Sequence, residues 1–110
     1  VAYSHYKQYD NALQAYREAL RIDPRDAAIW NALGFAYADL KQYDKAIQAY
    51  REALRIRPDY AEAWNSLGFT YYLLDRRDEV RAIYQTLRKL APVMAEQYFN
   101  DLILGKPPAR

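Results

Sequence analysis

Asn31 and Asn65 occupy matching places, each directly after a tryptophan (Trp30, Trp64) and one helical turn before a phenylalanine (Phe35, Phe69). A carboxamide carries two donors and an acceptor, so a ladder of them can bind an extended backbone without reading its side chains. Asparagine is also a poorer helix former than alanine or glutamine, which argues against a casual placement. The two phenylalanines would add an apolar floor for a ligand side chain; the competing role is a wedge between neighbouring units. Tyr72 and Arg76 lie one helical turn apart by spacing and can grip an acidic or terminal group, the guanidinium through paired hydrogen bonds. The alternative for Arg76 is a simple partner for a helix dipole.

All of this is binding chemistry. The 110 residues contain no cysteine and one histidine, His5, which removes disulfides, thiolate metal sites and most imidazole catalysis. No nucleophile–base set, glycine-rich phosphate loop or metal-ligand spacing is present, so neither an enzyme nor a cofactor is expected. Sixteen basic against fourteen acidic residues leave a net charge of +2, which offers no electrostatic footprint for nucleic acid. The arginines Arg17, Arg21, Arg25, Arg51, Arg55 and Arg57 alternate with Glu18, Asp23 and Glu52, as on a solvated face laced with helical Glu–Arg pairs. No apolar run approaches the ~20 residues of a membrane span, and no signal peptide is visible. The absence of cysteine suits cytoplasm and periplasm alike.

Residues of these kinds need elements to hold them, and the elements repeat. Pro24, Pro58 and Pro92 recur at one constant interval. Residues 7–26 match 41–60 at 15 of 20 positions, and 27–60 match 61–94 at 11 of 34, including Trp, Asn, Leu, Gly, Phe and Tyr in register. Within one unit Trp30, Leu33, Gly34, Tyr37 and Leu40 fall on one face of a helix. After a polar break at Lys41 and Gln42, a second helical set runs Tyr43, Ala46, Ile47, Tyr50, Ala53 and Leu54 until Pro58 stops it. Small Gly34, Ala46 and Ala53 facing large Trp30, Tyr37 and Tyr50 predict two closely packed antiparallel helices. One such pair cannot bury its apolar faces alone and must stack on the next.

Trp30, Leu33, Gly34, Tyr37, Ala46, Tyr50, Ala53 and Pro58 together resemble the signature of the tetratricopeptide repeat, over about residues 1–94. The following unit keeps Trp64, Leu67, Gly68, Tyr71, Tyr84 and Pro92 but departs at Val80 and Leu87, where the family has alanine, and at Arg77, where the preceding unit has Tyr43. The resemblance implies an all-α solenoid of antiparallel helix pairs. Its expected parts are a partial first repeat over 1–26 (a truncated first helix plus a second), a complete repeat over 27–60, a degenerate one over 61–94, a capping helix over 95–104 and a tail over 105–110. Ala95, Tyr98, Phe99, Leu102 and Ile103 supply the cap's apolar stripe, with Gly105 as its C′ residue. The incomplete first unit suggests a piece of a longer array; Tyr3 and Tyr6 would expose an edge that self-associates or frays.

In this family ligands usually lie on the concave face, read by first helices. By register that face carries Asn31, Phe35, Asp39, Asn65, Phe69, Tyr72 and Arg76, with Ser4 and His5 matching in the partial unit. Members that hold a chaperone tail use a lysine- and asparagine-based clamp. Here Phe35 and Phe69 stand where that clamp has asparagine, and Ala28 and Glu62 where it needs lysine, so no such clamp is expected. The implied function is a scaffold that binds a peptide or helix of a partner protein. The rivals are a self-associating module or stretch of a longer solenoid, homo-oligomeric through its N-terminal edge, and a substrate-presenting region of a larger enzyme.

Overall fold

The computed structural model describes the backbone of residues 2–105 and the side chains of 7–105. The expectations for Tyr3, Ser4, His5 and Tyr6, and for the tail beyond Gly105, lie outside the described residues. Every described element is helical, and the fold belongs to the α-solenoid class built from helix pairs. The chain divides into two compact units, 1–58 and 59–110.

The first unit holds α1 (Ala2–Ile22), α2 (Ala27–Asp39) and α3 (Tyr43–Ile56), with α1 and α3 both packed on α2. Helix α2 is buried on several sides, at Ala27, Asn31, Leu33, Gly34, Ala36 and Tyr37, as a helix with neighbours on two flanks must be. In α3 the buried set, Ala46, Ile47, Ala49, Tyr50, Ala53 and Leu54, forms one stripe, and Arg51 and Arg55 stay exposed. The pairing is antiparallel: Gly34 lies against Tyr50 while Tyr37 lies near Lys45. A Cβ on Gly34 would come within 2.5 Å of Tyr50 Cε1, so only glycine lets that ring sit flat on the helix.

Helix starts and stops follow local chemistry. The Asp26 carboxylate accepts the Ile29 N–H at 3.2 Å and caps α2. The Trp30 indole donates to the Pro24 carbonyl at 2.9 Å, fixing the preceding turn to the helix it feeds. Between α2 and α3, Gln42 N–H reaches back to the Tyr37 carbonyl at 2.9 Å across Lys41, which has φ 61°. This six-to-one closure satisfies the end of α2 and reverses the chain within a short turn.

The second unit repeats the plan with α4 (Ala61–Leu73) and α5 (Arg77–Leu90). Asp75, the register equivalent of Lys41, takes φ 57°, and Arg76 N–H closes on the Tyr71 carbonyl at 2.9 Å. The chain continues into α6 (Pro92–Tyr98) and a π-helical segment (Phe99–Ile103) whose last turn is closed by Leu104 N–H on the Phe99 carbonyl at 2.9 Å. Gly105 follows at φ 67°, the left-handed C′ residue that the sequence suggests.

Two expectations change. By register with Lys41 and Gln42, the two helices expected of the partial repeat over 1–26 would meet at Lys7 and Gln8, but α1 runs unbroken through both. The left-handed residue of that turn costs about 1–2 kcal/mol for a non-glycine. Folding back offsets that cost where the two helices of a pair pack, as at Lys41. Pro92 also does more than stop α5: it sits at the first position of α6, where a missing N–H costs nothing and its φ is already helical.

Candidate functional site

The seven candidate residues arise from α2, α4 and the turns that follow them. On α2, Phe35 is 51% exposed, and its ring meets the buried Tyr50 edge-on, 6.1 Å between centroids at 88°. It is held from below but open above, unlike a wedge closed on both sides. Asp39, in the last turn of α2, is exposed. A carboxylate there opposes the helix dipole, so the position carries no gain in helix stability.

Asn31 is not on the open surface. It is 6% exposed, and its Oδ1 has no hydrogen-bond partner. The position lies directly beside Trp30 on the helix, and packing on both flanks of α2 takes it in. An unpaired buried carbonyl costs about 1–3 kcal/mol, whereas the other buried polar side chain among the described residues, Thr70, donates to the Ser66 carbonyl at 2.9 Å. Asn65, in the equivalent place on α4, is half-buried.

On α4, Phe69 is 49% exposed and lies 6.1 Å from the ring of Tyr72 at a 34° tilt. Tyr72 and Leu73 are also about half exposed, so the end of α4 presents three large apolar side chains to solvent. Arg76 does not continue this face. Helix α4 ends at Leu73, and Arg76 is the N-cap of α5, its guanidinium 5.9 Å from the centroid of Tyr71. Tyr72 and Arg76 therefore do not stand one helical turn apart on one helix but on either side of the turn between α4 and α5.

The arginines behave as the sequence indicates at Arg21 and Arg55, which pair with Glu18 and Glu52 one turn back. Hydrogen bonding to those guanidiniums holds both carboxyls below their ordinary value. Arg17 is different. It donates to the Tyr37 hydroxyl at 2.7 Å and lies 5.7 Å from that ring's centroid, tying α1 to α2.

The second unit also contains an exchange of partners that register alone does not show. Tyr84 matches Tyr50 in the repeat, yet the side chain lying on Gly68 is Tyr98 of α6. Its hydroxyl donates to the Val80 carbonyl at 2.5 Å, so the ring sits between α4 and α5. Burial pushes this phenol well above its ordinary value. Tyr84 instead stacks on Phe99, 4.9 Å between centroids. The available signal was Val80 and Leu87 in place of alanines, a bulkier stripe that calls for a different filler.

Helix pairs of this length, with a ring seated on a glycine of the first helix and a left-handed turn recurring at the same place in each pair, define a helical-repeat protein. The TPR repeat family model matches residues 6–41 and 36–75, and the chain belongs to that family. No curated protein matches it. Among solved structures it is similar to the first TPR of Spaghetti (RPAP3) bound to HSP90 peptide SRMEEVD, with 21% identity and a TM-score of 0.80 over 94% of this chain and 84% of that one. It is similar also to the Arabidopsis OM64 TPR domain, with 23% identity and a TM-score of 0.81 over 90% of this chain and 84% of that one. TPR folds are protein-interaction modules, and among the described residues no helix is long and apolar enough to cross a membrane.

Proposed function

We infer that this chain is a non-catalytic scaffold that binds a peptide or helix of a partner protein on the concave face formed by its first helices. The observation that carries the reading is the pair Phe35 and Phe69. Both are half-exposed rings at one register position, one on α2 and one on α4. Rings left in water at two equivalent places are unfavourable for an isolated domain and suit a face that is covered in use. Tyr72 extends the apolar floor beside Phe69 and Asn65 offers a half-buried amide on the same helix, with Asp39 and Arg76 as charged contacts.

The neighbour solved with an HSP90 peptide supports a peptide as the kind of ligand. Its sequence of contacts does not transfer, because this chain lacks the lysines and asparagines of a carboxylate clamp. Affinity should come from a few aromatic anchors and be modest. Selection of displayed random peptides on the domain, followed by calorimetry with a selected peptide, tests this. Phe69→Glu and Phe35→Glu should each weaken binding by tenfold or more, on the order expected for an anchor, with helical circular dichroism unchanged. Selected peptides that bind both variants as tightly as the parent chain would refute it.

A further inference from the structure

We propose that the second unit carries a further binding cleft beside its capping segment, sharing Tyr72 with the first-helix face, which takes a bulky apolar side chain of a partner peptide together with an adjacent carboxylate. The proposal rests on the reading of the chain as a peptide-binding module and adds to it a second, charge-selective subsite. The cleft has a volume of about 510 Å³, in the ordinary range for ligand sites. Its walls are the end of α4, the start of α5 and the π-helical segment with the two residues after it.

Two features set its chemistry. The first is apolar: Leu73, Leu102, Ile103 and Leu104 line it, and Tyr72, Leu73 and Leu104 are each about half exposed. Three of the eight exposed large apolar side chains among the described residues thus border one cleft. The winding of the chain explains the concentration. A π-helical turn rotates successive residues through a smaller angle than an α-helix, so three consecutive apolar residues can line one wall.

The second feature is charge. Arg77 and Arg81 line the cleft against one acid, Asp75, and Arg77 already bonds Asp75 at 3.1 Å. Arg81 has no hydrogen-bond or ion-pair partner among the described residues and lies in the second turn of α5. An unpaired guanidinium beside an apolar floor selects an acidic, apolar segment over a basic or purely apolar one.

A capped hexapeptide of alternating leucine and aspartate, its leucine–asparagine counterpart and a leucine–lysine counterpart, each titrated into ¹⁵N-labelled protein, test this. The acidic probe should shift the amides of Arg81, Leu102, Ile103 and Leu104 with a dissociation constant on the order of 100 µM. The asparagine and lysine probes should bind about tenfold more weakly or not at all, and Arg81→Gln should remove that difference. Leu104→Ser should weaken the acidic probe while leaving its preference over the asparagine probe intact. Equal shifts by the acidic and asparagine probes would overturn the proposal. So would shifts confined to the amides of Phe35 and Phe69, which would leave the first-helix reading standing. The same amides moving with protein concentration alone would put a second copy in the cleft and also overturn it. Failure of the first-helix reading shows separately, in the displayed-peptide experiment.

Discussion

Replacing Gly68 by alanine should destabilise the chain, and removing the ring of Tyr98 should reverse the sign of that effect. A Cβ at Gly68 would fall within 2.7 Å of Tyr98 Cζ and closer still to Cε2 and Oη. The ring cannot step aside cheaply, since it is 2% exposed and tethered to the Val80 carbonyl. Overpacking of this kind costs about 2 kcal/mol, and alanine returns about 0.8 kcal/mol of helix propensity. The net loss is then about 1 kcal/mol. In a Tyr98→Leu background the three clashing atoms are gone, and Gly68→Ala should instead stabilise by about 0.8 kcal/mol. The two positions are thus coupled by about 2 kcal/mol. Urea unfolding of the four proteins, followed by helical ellipticity, measures it. The register partner supplies the control: Gly68→Ala and Tyr84→Leu should add to within about 0.5 kcal/mol. Coupling to Tyr84 in place of Tyr98, or equal destabilisation by Gly68→Ala in both backgrounds, would refute the packing described here.

Other perturbations follow from single contacts. Asp26→Ala removes the only side-chain N-cap found on α2 through α6 and should cost about 1 kcal/mol in urea unfolding. Arg17→Ala should cost about 1 kcal/mol through the Tyr37 bond, while Arg21→Ala, whose ion pair is exposed, should stay within about 0.5 kcal/mol. Burial raises the Tyr98 phenol in the folded state, so its protonated form is favoured there. Its contribution is complete below the ordinary phenol value of about 10 and is lost as pH rises beyond it. Urea midpoints should therefore fall above about pH 10, and Tyr98→Phe should flatten that fall.

Much of the architecture is legible because one sequence period repeats both the apolar spacing and the stops. Trp30, Gly34 and Tyr50 identify the first pair, and Pro58 marks its end where α3 does stop. The turn itself is less legible. Lys41 and Asp75 adopt positive φ although neither is glycine or asparagine, and the identical run Lys-Gln-Tyr-Asp is a turn and helix start at 41–44 but continuous helix at 7–10. One identical run with two conformations shows that local propensity alone does not decide the fold-back. The candidate site divides along similar lines. Register places Phe35 and Phe69 on the exposed side of their helices, where the structure has them. It misplaces Asn31, whose burial depends on a neighbour, and joins Tyr72 to Arg76 across a helix end that spacing does not reveal.

The departures of the second unit form one device. Val80 and Leu87 stand where the first unit has Ala46 and Ala53, and all four are buried. A bulkier stripe on α5 leaves its own Tyr84 unable to take the place that Tyr50 takes on Gly34. Tyr98 enters from α6 to fill that place, and the displaced Tyr84 becomes a platform for Phe99, with Arg88 5.7 Å from its centroid on α5. Adjacent residues 98 and 99 therefore anchor on two different parts of the pair, Tyr98 between α4 and α5 and Phe99 on Tyr84. Fixing two consecutive side chains in this way sets the rotation of the chain just where the π-helical turn begins. Leu102, Ile103 and Leu104 follow from that turn and line the cleft that Arg81 also lines. The substitutions that weaken the repeat signature are thus the ones that position the capping segment, and loosening the Tyr98 anchor should shift the amide signals of Leu102, Ile103 and Leu104 before it unfolds α4 or α5.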